Sequence, residues 1–161
     1  MTRTSRDAAA GALAGLVATG PMTAVMELLH RALPPAERRP LPPRRVTMRA
    51  ADAAGVGEEL SEEQRVGATT AAHLAFGTAA GAVYGGLVAR HLPLGPAANG
   101  VAYGLAVWAS HYLGILPALD LYPPPSREPA GRTAANVAAH VAWGLVLGLV
   151  TDQLVGSDSR A

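Results

Sequence analysis

Four long apolar stretches alternate with polar and proline-rich segments along this chain, at residues 8–33, 66–90, 97–116 and 133–155. Each reaches the length of about 20 residues that an α-helix needs to cross a hydrocarbon core of about 30 Å. Because backbone polar groups cannot stay unpaired in lipid, each stretch is predicted to be helical. The pattern predicts an all-α membrane protein with four transmembrane helices in a single membrane domain over residues 1–161.

Two proline-rich connections lie between the spans on one side of the membrane. The first, residues 34–65, contains PPAERRPLPPRR and then the acidic segment GEELSEEQR. The second, residues 117–132, reads PALDLYPPPSREPAGR. Residues 46–54 of the first connection are predicted to form a short interfacial helix. Ser61 and Gln64 have the spacing of a helix capping box, which predicts that the second span begins just after them.

A Gly-x-x-x-Gly pair recurs in every predicted span. The hydrophobic effect does not drive helices together in lipid, so small residues four positions apart act by letting two helix backbones approach closely. The pairs predict a compact four-helix bundle within one chain, and the alternative assigns one of these faces to a homodimer contact. The glycines are Gly11, Gly15, Gly77, Gly81, Gly85, Gly100, Gly104, Gly144 and Gly148.

Two segments of the chain match each other and indicate an internal repeat. Residues 71–81 read AAHLAFGTAAG and residues 138–148 read AAHVAWGLVLG. The first and third spans also share Gly-x-x-x-Gly-Leu, and both end in Leu-Pro before a proline-rich connection. We therefore predict two tandem helical hairpins. Because the first and third spans cross in the same direction, this repeat is parallel, with its axis along the membrane normal.

The composition fits a membrane bundle and excludes several classes of function. Only 16% of the residues are charged, whereas a soluble domain carries about 25%. The net charge of +1 gives no reason to expect a nucleic-acid partner, so the predicted partner is the lipid bilayer. Without cysteine the chain has no disulfide, thiolate or iron–sulfur chemistry. The sequence contains no legible Ser/His/Asp triad, phosphate-binding loop or zincin motif.

Ionisable side chains within the predicted spans mark the candidate site. Each span contributes one of them, namely Glu27, His73, His111 and His140. At 1.5 Å per residue, all four lie about 8–10 Å inside the membrane face that bears the proline-rich connections. Ionisable groups are costly at such depths and by default indicate a functional site.

Three interpretations of this Glu/His cluster are open. In the first, the side chains only form hydrogen bonds between helices. In the second, imidazoles that titrate near neutrality relay or sense protons, with Glu27 as their counter-charge. In the third, the three imidazoles and the carboxylate bind a transition-metal ion such as zinc, iron or copper. A haem held by His73 and His140 is disfavoured, because close glycine packing leaves little room for it. Predicted supporting neighbours of the cluster are Asn136, Thr69, Ser110 and Tyr112.

The arginines are distributed unevenly between the two sides of the membrane. Nine lie on the side of the proline-rich connections and four on the side of the termini. Because arginine-rich segments near span ends remain in the cytoplasm, the proline-rich connections are predicted to be cytoplasmic.

Several segments resemble the YagU-like family of bacterial inner-membrane proteins. They are GALAGLVAT in the first span, PLPPR after it, the histidines of the second and third spans, and AAHVAWG in the fourth. The resemblance implies a multi-pass protein of the bacterial inner (plasma) membrane, associated with acid-stress tolerance, and it implies no reaction. We predict a non-enzymatic membrane protein whose Glu/His cluster binds a metal ion or senses protons. The alternatives are a structural or accessory subunit of a membrane complex, a haem-binding or redox subunit, and a small oligomeric transporter.

Overall fold

The computed structural model describes residues 2–158, with side chains through residue 156, and every regular element in that range is helical. Apart from short turns, the helices are α1 (Arg3–Ala32), α2 (Pro42–Ala53), α3 (Glu62–Val88), α4 (Pro96–Ala118) and α5 (Ala130–Asp158). All except α2 are long and apolar enough to cross a membrane. The chain is therefore a multi-pass membrane protein by length and composition, and the predicted all-α architecture with four spans is confirmed.

The first connection is ordered by local sequence signals. The predicted capping box is confirmed: the Gln64 backbone N–H donates to the Ser61 hydroxyl at 3.3 Å, and the Ser61 backbone N–H donates to the Gln64 side chain at 2.8 Å. Helix α2 begins at Pro42, four residues earlier than predicted. Proline suits this position because the first turn of a helix leaves its backbone N–H groups without partners. The first connection therefore contains the short helix α2 ahead of α3.

Close backbone contacts between glycines join α1 to α3 and α4 to α5. A Cβ atom added to Gly81 would lie 2.2 Å from the carbonyl oxygen of Gly11, and one added to Gly15 would lie 2.2 Å from that of Gly77. In the second pair of helices, a Cβ atom on Gly100 would lie 2.0 Å from the carbonyl oxygen of Gly144. Only glycine permits these approaches, which repeat at Gly85, Gly104 and Gly148.

The four spans are arranged in the order α3–α1–α5–α4, with α1 and α5 at the centre. The interface between α1 and α5 consists of small side chains and larger apolar ones. Ala14, Ala18, Ala139 and Leu147 are fully buried there, and Trp143 is almost fully buried. These contacts join the two glycine-packed helix pairs into one bundle.

On the remaining side of the bundle, α3 and α4 meet through side chains rather than through close backbone packing. The Tyr103 hydroxyl donates to the Ala80 carbonyl oxygen at 2.9 Å. Nearer to the proline-rich connections, the rings of Phe76 and His111 touch edge to face, with their centroids 4.9 Å apart. This side of the bundle is consequently less tightly closed than the other three.

Two π-helical segments interrupt the spans, at Tyr84–Val88 in α3 and at Ser110–Ile115 in α4. In a π-helix each N–H bonds the carbonyl five residues earlier, so that side chains after the bulge rotate relative to an α-helix. Hydropathy carries no signal for such a bulge, so uninterrupted helices were predicted at both positions. The segment in α4 contains His111 and Tyr112, both of which line the cavity described below.

The outer surface of the four spans is apolar. Many large aliphatic side chains are exposed there, a pattern that water-soluble monomers avoid and that a bilayer satisfies. Examples are Leu13, Leu16, Val17, Leu87, Leu105, Leu113, Leu145 and Leu149.

Candidate functional site

A cavity of about 370 Å³ lies among the four spans near the proline-rich connections. His73 of α3, His111 of α4 and His140 of α5 line it, together with Met22 and Met26 of α1. Helix α2 covers it from the side of the connections through Pro42, Pro43, Val46 and Thr47. We refer to it as the three-histidine cavity. Three of the four predicted site residues thus share one cavity.

Two of these imidazoles are oriented by their own helices. His111 Nδ1 lies 2.9 Å from the carbonyl oxygen of Val107, and His140 Nδ1 lies 2.8 Å from that of Asn136. A carbonyl oxygen can only accept, so Nδ1 carries the proton in both rings. In the neutral imidazole this leaves Nε2 as a hydrogen-bond acceptor. Both rings can therefore accept a hydrogen bond from a ligand in the cavity.

The rest of the cavity wall is predominantly aromatic and aliphatic. The Tyr112 ring packs edge to face on His140, with centroids 5.7 Å apart, and Phe76 makes the similar contact with His111. Trp143 completes the wall from α5 and is 2% exposed. The imidazoles are thus among the few polar groups on a mostly apolar surface.

The predicted fourth ligand, Glu27, lies apart from the histidines. It accepts a hydrogen bond from Arg31 Nε at 2.9 Å, one helical turn later, and its side chain is 43% exposed. A salt bridge to Arg31 at the helix surface satisfies this carboxylate better than burial beside neutral imidazoles would. Within residues 2–158, no group of three or more His, Asp or Glu side chains is arranged to hold a metal ion. The prediction of a four-ligand metal cluster is therefore corrected.

The predicted supporting neighbours have different roles. Asn136 orients His140 through its backbone carbonyl, whereas Tyr112 contacts the same ring through its side chain. The Ser110 hydroxyl lies 3.2 Å from His111 Nδ1. Thr69 instead donates to the Arg65 carbonyl oxygen at 2.7 Å, within its own helix. Thr69 therefore supports α3 rather than a histidine.

A buried polar cluster that was not predicted from the sequence lies beside the cavity, centred on Arg132. The Arg132 guanidinium donates to Glu128 Oε2 at 2.6 Å and to the Tyr122 hydroxyl at 3.3 Å, and both charged side chains are 4% exposed. The same guanidinium donates to three backbone carbonyl oxygens just before α2, those of Glu37, Arg39 and Pro40. An i,i+4 Glu–Arg pair is visible in the sequence, but its burial is not.

This cluster also holds α2 over the cavity. Arg45 of α2 donates to Glu128 Oε1 at 3.2 Å, and its guanidinium lies 4.7 Å from the centre of the Tyr122 ring. Burial acts to raise the pKa of Glu128, but the hydrogen bond and charge of Arg132 outweigh it and hold this pKa below its ordinary value. Burial raises the pKa of Tyr122. Glu128 is therefore an anion between two guanidinium groups.

Comparison with known proteins identifies a family. The family model described as "Protein of unknown function (DUF1440)" matches residues 30–149, which is most of the chain. The chain belongs to the DUF1440 family. The region matched by DUF1440 includes the three cavity histidines, helix α2 and the cluster around Arg132. No curated protein and no solved structure matches the chain.

Proposed function

We propose that this membrane protein binds an amphiphile from the bilayer in the three-histidine cavity. The proposed ligand has a largely apolar body and a head group that bears a hydroxyl. The observation that carries the proposal is the cavity itself, about 370 Å³ in volume, with apolar walls and histidines whose Nε2 atoms are free to accept.

The size of the cavity favours an organic ligand. Sites for small molecules commonly have volumes of about 300–1,000 Å³, mostly apolar walls and a few polar groups that orient the ligand. This cavity has that composition. His111 and His140 are proposed to accept hydrogen bonds from the ligand, and His73 of α3 lines the same cavity. Phe76 and Trp143 would pack against its apolar body.

The surroundings of the cavity favour access from the lipid. Phe76 of α3 and Ile115 of α4 both line the cavity, and they are 43% and 47% exposed. They lie on the side where helix backbones are not closely packed. On the aqueous side, α2 covers the cavity and is attached through the Arg45–Glu128 pair. We therefore propose that the ligand enters the cavity from the bilayer.

We also propose an internal repeat and a cellular location for this protein. The two hairpins are proposed to be repeats, and the same kind of glycine contact in each supports this: a Cβ atom on Gly81 would lie 2.2 Å from the Gly11 carbonyl oxygen, and one on Gly144 would lie 2.3 Å from that of Gly100. A YagU-like protein of the bacterial inner membrane with cytoplasmic proline-rich connections is likewise proposed from sequence. The proton-sensing, haem-binding, transporter and oligomer hypotheses stay predictions.

Quenching of Trp143 fluorescence tests the proposed binding. In a Trp108→Phe background Trp143 is the sole tryptophan, and a brominated long-chain phenol serves as the probe. We expect saturable quenching, because the bromine reaches the cavity wall. Replacing both acceptors, as His111→Leu with His140→Leu, should weaken the probe's affinity about tenfold through loss of hydrogen bonds.

Two further variants make this test decisive. His91→Leu alters an exposed histidine in the turn between α3 and α4 and should leave binding unchanged. Ala72→Phe fills the cavity without removing a polar group and should abolish saturable quenching. Quenching that rises linearly with probe concentration, or that is the same in all variants, would show simple partitioning into detergent. A purely structural or accessory role would then be favoured.

A further inference from the structure

A second pocket, of about 260 Å³, lies at the opposite end of the bundle, where α1, α3, α4 and α5 reach the side of the termini. Asp7, Arg90, Asn99, Thr151 and Asp152 line it. We call it the terminal-face pocket. It shares no lining residue with the three-histidine cavity.

The terminal-face pocket is rich in hydrogen-bond acceptors that lack partners. Asn99 is 5% exposed and its amide nitrogen donates to the Leu92 carbonyl oxygen at 3.2 Å, but its Oδ1 is buried and has no hydrogen-bond partner among the described residues. The Thr151 hydroxyl, in a residue that is 3% exposed, is likewise buried without a partner in the part of the chain that the structure describes. Buried oxygens of this kind are costly unless a ligand or water supplies a donor.

The charge of the pocket is negative. Asp7 is paired with Arg90, whose Nε donates to Asp7 Oδ2 at 2.8 Å and whose Nη2 contacts the same oxygen. Asp152 contributes a second carboxylate that forms no salt bridge within the described residues. Two carboxylates and one guanidinium leave one net negative charge, so the pocket favours a cationic ligand that carries hydrogen-bond donors.

The geometry points to a primary ammonium group, carried on a short alkyl chain, as the ligand of the terminal-face pocket. The pocket is too large for a bare metal ion, since one water molecule occupies only about 30 Å³ in the liquid. Leu92, Leu94 and Pro96 give it apolar walls that suit methylene groups. Asp152 neutralises the ammonium charge, and its N–H groups satisfy Asn99 Oδ1 and the Thr151 hydroxyl.

The position of the pocket at the membrane surface favours an aminophospholipid as the source of this group. In a phosphoethanolamine head group, the phosphate follows the ammonium after two carbons. Arg90 lies in the same wall as Asp7 and is more exposed, with 35% of its side chain accessible against 10% for Asp7. Its guanidinium is suited to contact that phosphate. A free alkylamine offers the same ammonium without the phosphate.

Native mass spectrometry of protein released from mixed-lipid nanodiscs tests this site. The nanodiscs contain equal amounts of phosphatidylethanolamine and phosphatidylcholine, whose trimethylammonium has the same charge but no N–H donor. We expect the protein to retain phosphatidylethanolamine about tenfold better, the effect of losing one charge-assisted hydrogen bond. Asp152→Asn should remove this preference. Asp120→Asn, an exposed aspartate at the other end of the bundle, should keep it.

A second variant guards against misfolding, and a competition experiment distinguishes a lipid head group from a free amine. Thr151→Val keeps the shape of the side chain and should weaken the preference for phosphatidylethanolamine even if Asp152→Asn fails to fold. Free ethanolamine at high concentration should displace the lipid if the ammonium alone suffices; if it does not, the lipid is the ligand. Equal retention of both lipids by the wild-type protein, or a preference unchanged in Asp152→Asn and Thr151→Val, would overturn the proposal.

Discussion

Arg132 is the residue on which the ordered proline-rich connections most depend. Its guanidinium makes five hydrogen bonds, to Glu128, to Tyr122 and to three backbone carbonyl groups before α2. Removing one partner of a buried charge pair leaves the other without compensation, which costs far more than losing an exposed pair. The stability of this side of the protein should therefore depend on the ionisation of Glu128.

Glu128→Gln should lower the free energy of unfolding by roughly 2–3 kcal/mol near neutral pH. The same substitution should also change how the free energy of unfolding depends on pH. The pKa of Glu128 in the folded protein lies below its ordinary value of 4.5. The contribution of the carboxylate to the free energy of unfolding is therefore complete above pH 4.5. It is lost as the pH falls through the lower pKa that Glu128 has in the folded protein. Unfolding in detergent, followed across this acidic range, measures the difference.

Glu63→Gln is the matched control, because Glu63 is an exposed glutamate in the first turn of α3. The Glu63→Gln variant should lose stability at acidic pH to the same extent as the wild type. If Glu128→Gln retained the same acid-dependent loss as the wild type, the ionisation of Glu128 would not be the cause.

At the scale of single residues, the sequence indicated candidate site residues by their chemistry. It did not show towards which face of a helix each side chain points. His73, His111 and His140 stood out because imidazoles are unusual in apolar helices, and the structure brings them to one cavity. Glu27 has the same depth, but depth along a helix does not specify which face carries the side chain. Arg132 was predicted only as the last residue of the second proline-rich connection, since nothing in a single sequence shows that the first connection folds back over it.

Among the elements, the pairing of α1 with α3 depends on glycines that admit no side chain. A Cβ atom on Gly81 would lie 2.2 Å from the Gly11 carbonyl oxygen, within the opposite backbone. Gly81→Ala should therefore push the helices apart and lower the free energy of unfolding by about 1–3 kcal/mol, the usual effect of overpacking. The midpoint of thermal unfolding in detergent, measured by circular dichroism, reports the change.

Gly20→Ala provides the comparison, because a Cβ atom on Gly20 in α1 would meet no atom within 4 Å. There the change should be neutral or stabilising by up to about 1 kcal/mol, since alanine favours a helix. Equal midpoints for the two variants would contradict the requirement for glycine at the α1–α3 contact.

The number and approximate bounds of the spans could be predicted because hydropathy and length determine which helices can cross a bilayer. The π-helical segments could not, because hydropathy is the same for a π-helical turn as for an α-helical one. The one in α4 matters for the site, since it allows the neighbouring residues His111 and Tyr112 to line the same cavity. Helix α2 was predicted in position, but its contact with the cavity depends on the distant residue Glu128.

For the whole molecule, the arginine distribution predicts that the long first connection is cytoplasmic. The chain lacks cysteine, so single cysteines can report the topology. Leu94→Cys lies in the turn between α3 and α4, and Val56→Cys lies in the first connection; both native side chains are exposed. On intact cells, a membrane-impermeant maleimide should label Leu94→Cys at once. The maleimide should label Val56→Cys only after the membrane has been permeabilised. The reverse pattern of labelling would contradict this orientation.

The two sets of glycine contacts join helices that follow each other among the spans, α1 with α3 and α4 with α5. Contacts that are local along the chain form first, and the N-terminal part of a chain is synthesised first. The first hairpin can therefore assemble in the bilayer while the second is still leaving the ribosome. The α1–α5 interface, which joins the hairpins, forms last. The three-histidine cavity has walls from both hairpins and is therefore created only when biosynthesis of the whole bundle is complete.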